Sequence, residues 1–282
     1  ITLSANIEFT NELPMVKESG AEGVGLFRTE FYLLDGGEMP DELSQAEVYT
    51  EVAKAMHPNQ TIIRTLDAGG DKITAEPLTQ PEPNPFLGWR GIRVSLTRIA
   101  LFKEQLRAIL RASAHGKLGI MFPMVSGLRE VRAAKEVLQT AMDELRAENI
   151  PFDPNIEVGV MIEIPSAAIM ANEIAPEVDF FSIGTNDLIQ YTVAVDRVNN
   201  YVAHLYKPTH PAVIRLMDIT VRAAKDNKIW TGICGEMAGD LLIIPLLVGL
   251  GIDELSVGAH QLPSIKKAIR SLSQKECSEM VK

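Results

Sequence analysis

The sequence has 282 residues, of which 46% are hydrophobic and 23% are charged, and its formal net charge is -10. This composition is typical of a soluble globular protein with a large core, and the negative charge argues against a nucleic-acid or anionic-membrane partner. The longest apolar run, residues 241–252, is interrupted by Pro245 and is too short to span a bilayer.

The two cysteines, Cys234 and Cys277, lie far apart and offer no disulfide or metal framework, which is typical of a reducing cytoplasm. No signal-peptide pattern opens the chain, and it begins at Ile1 rather than at methionine. We therefore expect a cytoplasmic fragment of a longer protein.

Short apolar, β-branched runs alternate with amphipathic segments along the chain. The amphipathic segments predict helices over 101–113 and 127–146 and a further helix that begins at Pro211. The apolar runs predict strands over residues 1–7, 22–28, 60–67, 118–124, 157–164, 179–184, 229–234 and 253–257. Eight strands separated by helices indicate an α/β protein with a (β/α)8 (TIM) barrel, in one domain over residues 1–282. A doubly wound open sheet would use the same alternation.

Two segments between strands are long for barrel loops, residues 66–100 and 185–210. Long loops in a compact domain usually build the functional site, so we expect both to contribute to it.

Polar or reactive side chains recur at the carboxyl ends of the predicted strands, which is the end that carries the active site in a barrel. They are Asn6, Arg28, Arg64, Met124, Glu163, Asn186, Asp187, Cys234 and Ser256. Each has an ordinary structural alternative: Arg28 could pair with Glu30, Glu163 could be a helix-start charge ahead of Pro165, and Cys234 could be a small buried hydrophobe. A single shared site explains them together.

Two carboxylates indicate a metal site. Asp187 and Asn186 follow a short apolar run, where an unpaired carboxylate is costly to bury unless it binds a cation; a strand, a turn and a helix cap are the alternative. Glu163 ends the preceding strand. Two carboxylates are the usual number for Mg²⁺ that completes its coordination with water and ligand oxygens, so we predict Mg²⁺ at Glu163 and Asp187.

Several arginines and one thiol complete the predicted chemistry. Arg28, Arg64 and Arg197, with Arg90 as a further member, offer forked donors that match phosphate and carboxylate oxygens. Cys234 lies in Gly-Ile-Cys-Gly-Glu, where an open thiol with a pKa near neutral could give a proton to carbon. These features favour enolate chemistry on a small phosphorylated acid.

Six stretches together resemble one family. They are residues 20–31, 64–72, 84–90, 121–124, 180–188 and 232–240. In this order they resemble the phosphoenolpyruvate-binding barrel of the enzyme I family of the bacterial sugar phosphotransferase system. Pyruvate phosphate dikinase and phosphoenolpyruvate synthase are similar in the same barrel, but the stretches at 64–72 and 194–197 are closer to enzyme I.

The resemblance implies a role for each matching position. Phosphoenolpyruvate would bind Arg28, Arg64, Arg197, Asn186 and Asp187. It also implies Mg²⁺ on Glu163 and Asp187, with Cys234 as the proton donor to the methylene carbon. Family members dimerise through the barrel and pass the phosphoryl group to a histidine on an amino-terminal domain, then to the phosphocarrier protein HPr.

Departures from the family pattern limit the expectation. Ile189 stands where a threonine is expected, and Ser166 replaces an alanine. None of the five histidines, His57, His115, His204, His210 and His260, lies in a Thr-Ser-His context. We therefore expect this chain to bind phosphoenolpyruvate and Mg²⁺ but not to complete phosphotransfer unaided.

Other functions stay open. The chain could be the barrel of a dikinase, a synthase or a fused multiphosphoryl transfer protein. It could also be a metal-dependent lyase, although a lyase needs no phosphate-facing arginines, or a module that senses phosphoenolpyruvate without turnover.

Overall fold

The computed structural model describes residues 1–30, 39–69 and 82–281. Within these ranges, parallel strands pair in sequence order and the last pairs with the first, which closes a barrel. The strands are β1 (Thr2–Ile7), β2 (Gly23–Phe27), β3 (Gln60–Arg64), β4 (Leu118–Phe122), β5 (Glu157–Ile162), β6 (Phe180–Ile183), β7 (Trp230–Ile233) and β8 (Glu254–Gly258). Closure confirms the predicted (β/α)8 barrel and excludes the doubly wound open sheet. Each strand lies within a few residues of its predicted range.

Helices follow the strands around the outside of the barrel. They are α1 (Leu13–Glu18), α2 (Glu42–Met56), α3 (Ile92–Thr97), α4 (Ile99–Ser113), α5 (Leu128–Ala147), α6 (Pro165–Ile169), α7 (Ala171–Ile174), α8 (Thr185–Val193), α9 (Pro211–Asn227), α10 (Ile244–Leu250), α11 (Leu262–Arg270) and α12 (Gln274–Val281). The helices predicted over 101–113 and 127–146 are α4 and α5. Helix α9 begins at Pro211 as predicted, and the His210 side chain accepts a hydrogen bond from the Ala212 N–H at its start.

The core has two layers, because side chains alternate between the two faces of each strand. One layer packs between the strands and the helices. The other fills the barrel interior and consists of Leu26, Ile62, Met121, Met161, Phe180 and Cys234. Phe180 stacks on Trp230 with ring centroids 4.4 Å apart. This interior layer forms the floor beneath the carboxyl ends of the strands.

The two long segments differ from simple loops. Residues 185–210 begin with helix α8, so the polar pair Asn186 and Asp187 lies in the first turn of a helix and not in a loop. Residues 70–81 of the segment 66–100, and with them the end of the 64–72 stretch, lie outside the described residues. In the described part of the chain, no helix combines the length and apolar character needed to cross a bilayer.

Candidate active site

One cavity of about 370 Å³ opens at the carboxyl ends of the strands. The residues predicted to bind the ligand or metal or to act in catalysis line it: Arg28, Arg64, Arg90, Glu163, Asn186, Asp187, Arg197 and Cys234. They come from the ends of different strands and from the segments that follow these strands, and the barrel brings them together because its strand ends converge. Three other strand-end residues that we expected at the same site, Asn6, Met124 and Ser256, do not line it. The structure therefore supports a single site, while the role of each residue stays a prediction.

Three buried carboxylates form the centre of this cavity. Asp67, Glu163 and Asp187 each place an oxygen within 4.8 Å of the others. Glu163 Oε1 accepts a hydrogen bond of 2.6 Å from the Met124 N–H. Asp187 lies in the first turn of α8, where the helix dipole favours a negative charge. Its Oδ1 atom is buried without a hydrogen-bond partner among the described residues.

Electrostatic repulsion among these carboxylates favours a proton or a cation. Burial, followed by the charges of Asp67 and Asp187, raises the pKa of Glu163 to about 8. A divalent cation would relieve both the repulsion and the unsatisfied Asp187 oxygen. The trio offers only oxygen ligands, which suits a hard ion such as Mg²⁺. The residues present therefore fit the predicted metal, with Asp67 as a third acidic neighbour.

Two partly buried arginines, with side chains 11% and 13% exposed, contact the carboxylates. Arg64 contacts Glu30 and Asp67, each at 3.0 Å. Arg90 contacts Asp67 at 2.9 Å and Asp187 at 2.8 Å. Burial alone would lower the pKa of Arg64, but the charges of Glu30 and Asp67 outweigh it and raise the pKa. Both guanidinium groups are therefore permanently charged.

The Nε atom of Arg64 is buried and has no hydrogen-bond partner in the described part of the chain. A buried donor without a partner is costly, so this N–H favours an anionic or polar ligand. Arg64 and Asp187, which both line the cavity, thus each have one buried polar atom without a hydrogen-bond partner among the described residues. A ligand that carries both an anionic group and a cation would satisfy both.

Arg28 and Arg197 lie at the more exposed rim. Arg28 forms an ion pair with Glu8. The sequence had suggested Glu30 as its partner. The Arg28 side chain is 37% exposed, so the pair is weakly held and the guanidinium can turn toward a ligand. The Arg197 side chain contacts Tyr206, where burial raises the phenol pKa to about 12 and Arg197 partly offsets this effect.

Asn186 is fixed by neighbours on two loops. Its amide group exchanges two hydrogen bonds with Glu236: Nδ2 donates to Glu236 Oε1 at 3.1 Å, and Oδ1 accepts from the Glu236 N–H at 3.0 Å. The Tyr206 hydroxyl donates to the Asn186 carbonyl at 3.2 Å. The first turn of α8 and the segment after β7 are therefore joined next to Cys234.

Cys234 lies on the cavity floor, 3% exposed. The sequence suggested a pKa near neutral, but burial raises the pKa of this thiol to about 11. The earlier expectation is wrong in this respect, because the sequence pattern does not reveal how far the surrounding barrel removes the sulfur from water. A thiol with a raised pKa stays protonated at neutral pH, which is the form that a proton donor needs.

Sequence reasoning missed three contributors to this site: Asp67, Glu30 and Glu236. Asp67 lies three residues after Arg64, beyond the end of β3, and the carboxylate itself was the available signal. Glu30 and Glu236 hold Arg64 and Asn186 by contacts that depend on tertiary structure. No local pattern indicates them.

The fold and this cavity define a class: (β/α)8-barrel proteins with a cavity of arginine and carboxylate side chains at the carboxyl end of the barrel. Comparison with known proteins makes the class more specific. Residues 1–274 match the family model described as "PEP-utilising enzyme, PEP-binding domain", and the chain belongs to this family.

Curated relatives carry the name phosphoenolpyruvate-protein phosphotransferase. The protein from Staphylococcus carnosus (strain TM300) is 49% identical over 280 residues, which cover 99% of this chain and 49% of the relative. The protein from Haemophilus influenzae is 49% identical over 273 residues, covering 97% of this chain and 48% of the relative. The chain thus spans about half the length of the curated relatives that it matches.

Solved structures with low sequence identity share the fold. A citrate lyase from Burkholderia xenovorans LB400 matches with a TM-score of 0.62 at 15% identity, over 99% of this chain and 80% of that one. An HpcH/HpaI aldolase from Desulfitobacterium hafniense DCB-2 matches with a TM-score of 0.51 at 14% identity, over 96% and 92%. These likenesses support the barrel alone.

Proposed function

We propose that this chain binds phosphoenolpyruvate with Mg²⁺ and supports transfer of its phosphoryl group to a histidine on another domain, and then to HPr. Pyruvate would be released after protonation of the enolate. The observation that carries the proposal is the shared cavity: an unsatisfied arginine donor and an unsatisfied carboxylate oxygen lie beside a buried thiol. Membership of the PEP-utilising family supports the choice of ligand.

The arginines suit a ligand that bears both phosphate and carboxylate groups. Arg64 is held by ion pairs with Glu30 and Asp67, so it would bind a ligand without further ordering of its side chain. Arg28 and Arg197 would close on the ligand from the rim, and Asn186 would donate from its fixed amide. Such preorganised donors stabilise charge that develops as the phosphorus–oxygen bond breaks.

Glu163 and Asp187 would hold Mg²⁺, and Asp67 lies close enough to add a third negative charge. Bound there, Mg²⁺ would supply positive charge to the ligand's oxygens. Arg90, which contacts both Asp67 and Asp187, would keep these carboxylates oriented. The protein part of this site is therefore ordered by ion pairs that do not depend on the ligand.

Cys234 would give its proton to the methylene carbon of the enolate. The raised pKa of the thiol keeps the proton on sulfur until the enolate carbon is present to accept it. The Cys234 carbonyl accepts a hydrogen bond of 3.0 Å from Asn6, which fixes the backbone at this point. Cys234 is the residue for which we propose a catalytic role.

The remaining proposals concern the whole protein. By analogy with the phosphotransferase relatives, the phosphohistidine would lie on a separate domain, HPr would receive the phosphoryl group, and the barrel would form a homodimer in the cytoplasm of a sugar-transporting cell. The relatives' printed names favour this assignment over a dikinase or synthase barrel.

Calorimetric titration with phosphoenolpyruvate, with and without Mg²⁺, tests the binding proposal. We expect binding that strengthens at least about tenfold when Mg²⁺ is present, because the ion pairs the ligand with Glu163 and Asp187. Equal affinity in both titrations would contradict the metal assignment. Absence of binding in both would contradict the proposed function.

Proton exchange at the methyl group of pyruvate tests the chemistry and separates an enzyme from a module that only binds. We expect exchange in the wild-type chain with Mg²⁺, loss of exchange in Cys234→Ala, and little change in phosphoenolpyruvate affinity. Cys277→Ala is the matched control, since Cys277 is also buried but lies in α12. A wild-type chain that binds without exchange would be a sensing module.

A further inference from the structure

The hydroxyl of Ser182 lies beside the thiol of Cys234. Ser182 Oγ is 3.4 Å from Cys234 Sγ, and both residues are 3% exposed. A buried hydroxyl needs a hydrogen-bond partner. Among the described residues, the partner that the Ser182 hydroxyl has is this sulfur. The contact between Ser182 and Cys234 is therefore a buried hydrogen bond inside the barrel.

The backbone fixes this distance. Ser182 on β6 is in register with Met161 on β5 and Gly232 on β7, and it points into the barrel on the same face as Phe180. Cys234, just after β7, donates its N–H to the Ile183 carbonyl at 3.2 Å. Both residues are thus held by the same strand pair.

We propose that Ser182 is a positioning residue for proton transfer by Cys234, an inference that rests on the proposed function. The Ser182 O–H donates to sulfur, holds the thiol at the cavity floor and stabilises the thiolate that remains after the transfer. In that step the S–H bond breaks and its electron pair stays on sulfur. The proton forms a C–H bond with the enolate methylene carbon, and the enolate electrons restore the carbonyl group of pyruvate. Ser182 keeps its own proton.

The hydroxyl matters because the thiolate forms in a buried site. Burial raises the pKa of Cys234, and the hydrogen bond from Ser182 opposes this rise. Without the hydroxyl, the thiolate would lose a donor that water cannot readily replace. The loss of the proton to carbon would then be slower, and less of the thiolate that takes the proton back in the reverse direction would be present at neutral pH.

The pH dependence of Cys234 alkylation by iodoacetamide tests the contact directly. Mass spectrometry of the peptides reports Cys234 and Cys277 separately, so Cys277 is an internal control. In Ser182→Ala we expect the Cys234 profile to move to higher pH, with a rate about three- to tenfold lower at each pH below the midpoint. Ser182→Thr keeps the hydroxyl and should restore the wild-type profile.

Ser4→Ala is the matched control for a lost barrel hydroxyl. Ser4 is 1% exposed and donates to Glu254 at 2.5 Å, away from the thiol. We expect its Cys234 profile to be unchanged. A profile in Ser182→Ala that coincides with wild type, or an equal shift in Ser4→Ala, would overturn the proposal. Thermal unfolding of each variant verifies that the comparison is made on folded protein, and Ser182→Gly gives a second variant without the hydroxyl.

Pyruvate methyl exchange completes the test. We expect Ser182→Ala to slow exchange about three- to tenfold at neutral pH with unchanged phosphoenolpyruvate affinity. Equal exchange rates in Ser182→Ala and wild type would overturn the role in proton transfer. If wild type shows no exchange, the proposed function fails, and with it the catalytic meaning of the contact, whereas the alkylation profiles still decide whether Ser182 controls the thiol.

Discussion

The guanidinium of Arg90 bridges Asp67 and Asp187: its Nη2 atom lies 2.9 Å from Asp67 Oδ2 and 2.8 Å from Asp187 Oδ2. One cation is therefore shared between two buried carboxylates that also face Glu163. Asp187 keeps its other oxygen, Oδ1, without a partner among the described residues. Arg90 neutralises part of the charge at this site and would share Asp187 with a bound metal ion.

Replacing Arg90 should therefore increase the dependence of the fold on Mg²⁺. In Arg90→Gln the carboxylates lose a buried partner, which we expect to cost about 3 kcal/mol of stability without Mg²⁺. Added Mg²⁺ should raise the Tm of the variant more than that of wild type, while phosphoenolpyruvate affinity falls. Thermal unfolding with and without Mg²⁺ measures this.

Arg93→Gln is the control for Arg90→Gln. The Arg93 guanidinium donates to the carbonyls of Leu87 and Gly88 and does not line the acidic cavity. Its Mg²⁺-induced change in Tm should match that of wild type. If Arg90→Gln also shows the wild-type change, Arg90 does not compete with or replace a cation at Asp187.

The raised pKa of Glu163 predicts a pH dependence of metal binding. Because the folded-state pKa is about 8, the folded protein holds a proton that the cation must displace. Apparent Mg²⁺ affinity should rise with pH up to about pH 8 and then level off. Calorimetry at several pH values measures this. An affinity that is constant between pH 6 and pH 9 would contradict the assignment of Glu163 as a ligand.

The same pKa predicts how stability changes without a metal ion. An acid whose folded-state pKa lies above its unfolded value binds more protons when folded, so stability falls as pH rises between the two values. Glu163→Gln should remove this fall and be more stable than wild type above pH 8, by about 2 kcal/mol. Denaturation at pH 5.5 and 8.5 gives the comparison, with the exposed Glu173→Gln as control. Equal pH slopes in all three proteins would show that Glu163 titrates normally.

The barrel and the members of its site could be predicted from sequence because both depend on local patterns. Apolar β-branched runs mark the strands, Pro211 marks the start of α9, and polar residues just after a strand must lie at the carboxyl end. Convergence of the strand ends then places Arg28 and Cys234 in one cavity although they lie far apart in the sequence.

The contacts within the site could not be predicted in the same way. Arg28 pairs with Glu8 on the neighbouring strand end rather than with Glu30, two residues away, because strand pairing and side-chain direction decide which carboxylate is within reach. Helix α8 was read as a loop because its first turn is polar. The pKa of Cys234 depends on how completely the barrel excludes water, and spacing carries no information on that.

Glu254, a partly buried acid at the opposite end of the barrel, predicts an effect on protein stability without an effect on ligand binding. Burial raises the pKa of Glu254 to about 7; the Ser4 hydrogen bond opposes the rise and the charge of Glu157 adds to it. Since the folded-state pKa exceeds the ordinary value, Glu254 lowers stability progressively as pH rises toward about 7. We expect Glu254→Gln to be about 1–2 kcal/mol more stable than wild type at pH 8 and nearly equal at pH 4.5.

Urea denaturation at both pH values measures the Glu254 effect, and calorimetry with phosphoenolpyruvate checks that affinity is unchanged. Unlike Glu163, Glu254 does not line the acidic cavity. A stability gain that is the same at both pH values would mean that the substitution acts through packing and not through titration.

Gly235 brings the loops after β6 and β7 into contact, and we expect Gly235→Ala to separate them. A Cβ atom at this position would lie 1.9 Å from Thr185 Oγ1 and 2.8 Å from the Thr185 backbone nitrogen. Because backbone cannot move aside cheaply, the loops must shift, and the paired hydrogen bonds between Asn186 and Glu236 should weaken. We predict a stability loss of about 1–3 kcal/mol and phosphoenolpyruvate affinity at least about tenfold lower.

Gly127→Ala is the matched control for Gly235→Ala, since a Cβ atom at Gly127 would meet no atom within 4 Å. Its stability and its phosphoenolpyruvate affinity should both stay near wild type. A general loss of packing would lower only the stability of the protein. If the contact between Asn186 and Glu236 shapes the site, Gly235→Ala should also weaken ligand binding at temperatures far below its Tm, where the protein is fully folded. If Gly235→Ala instead binds phosphoenolpyruvate with wild-type affinity, Asn186 does not need its contact with Glu236, and the two loops are coupled only through the barrel beneath them.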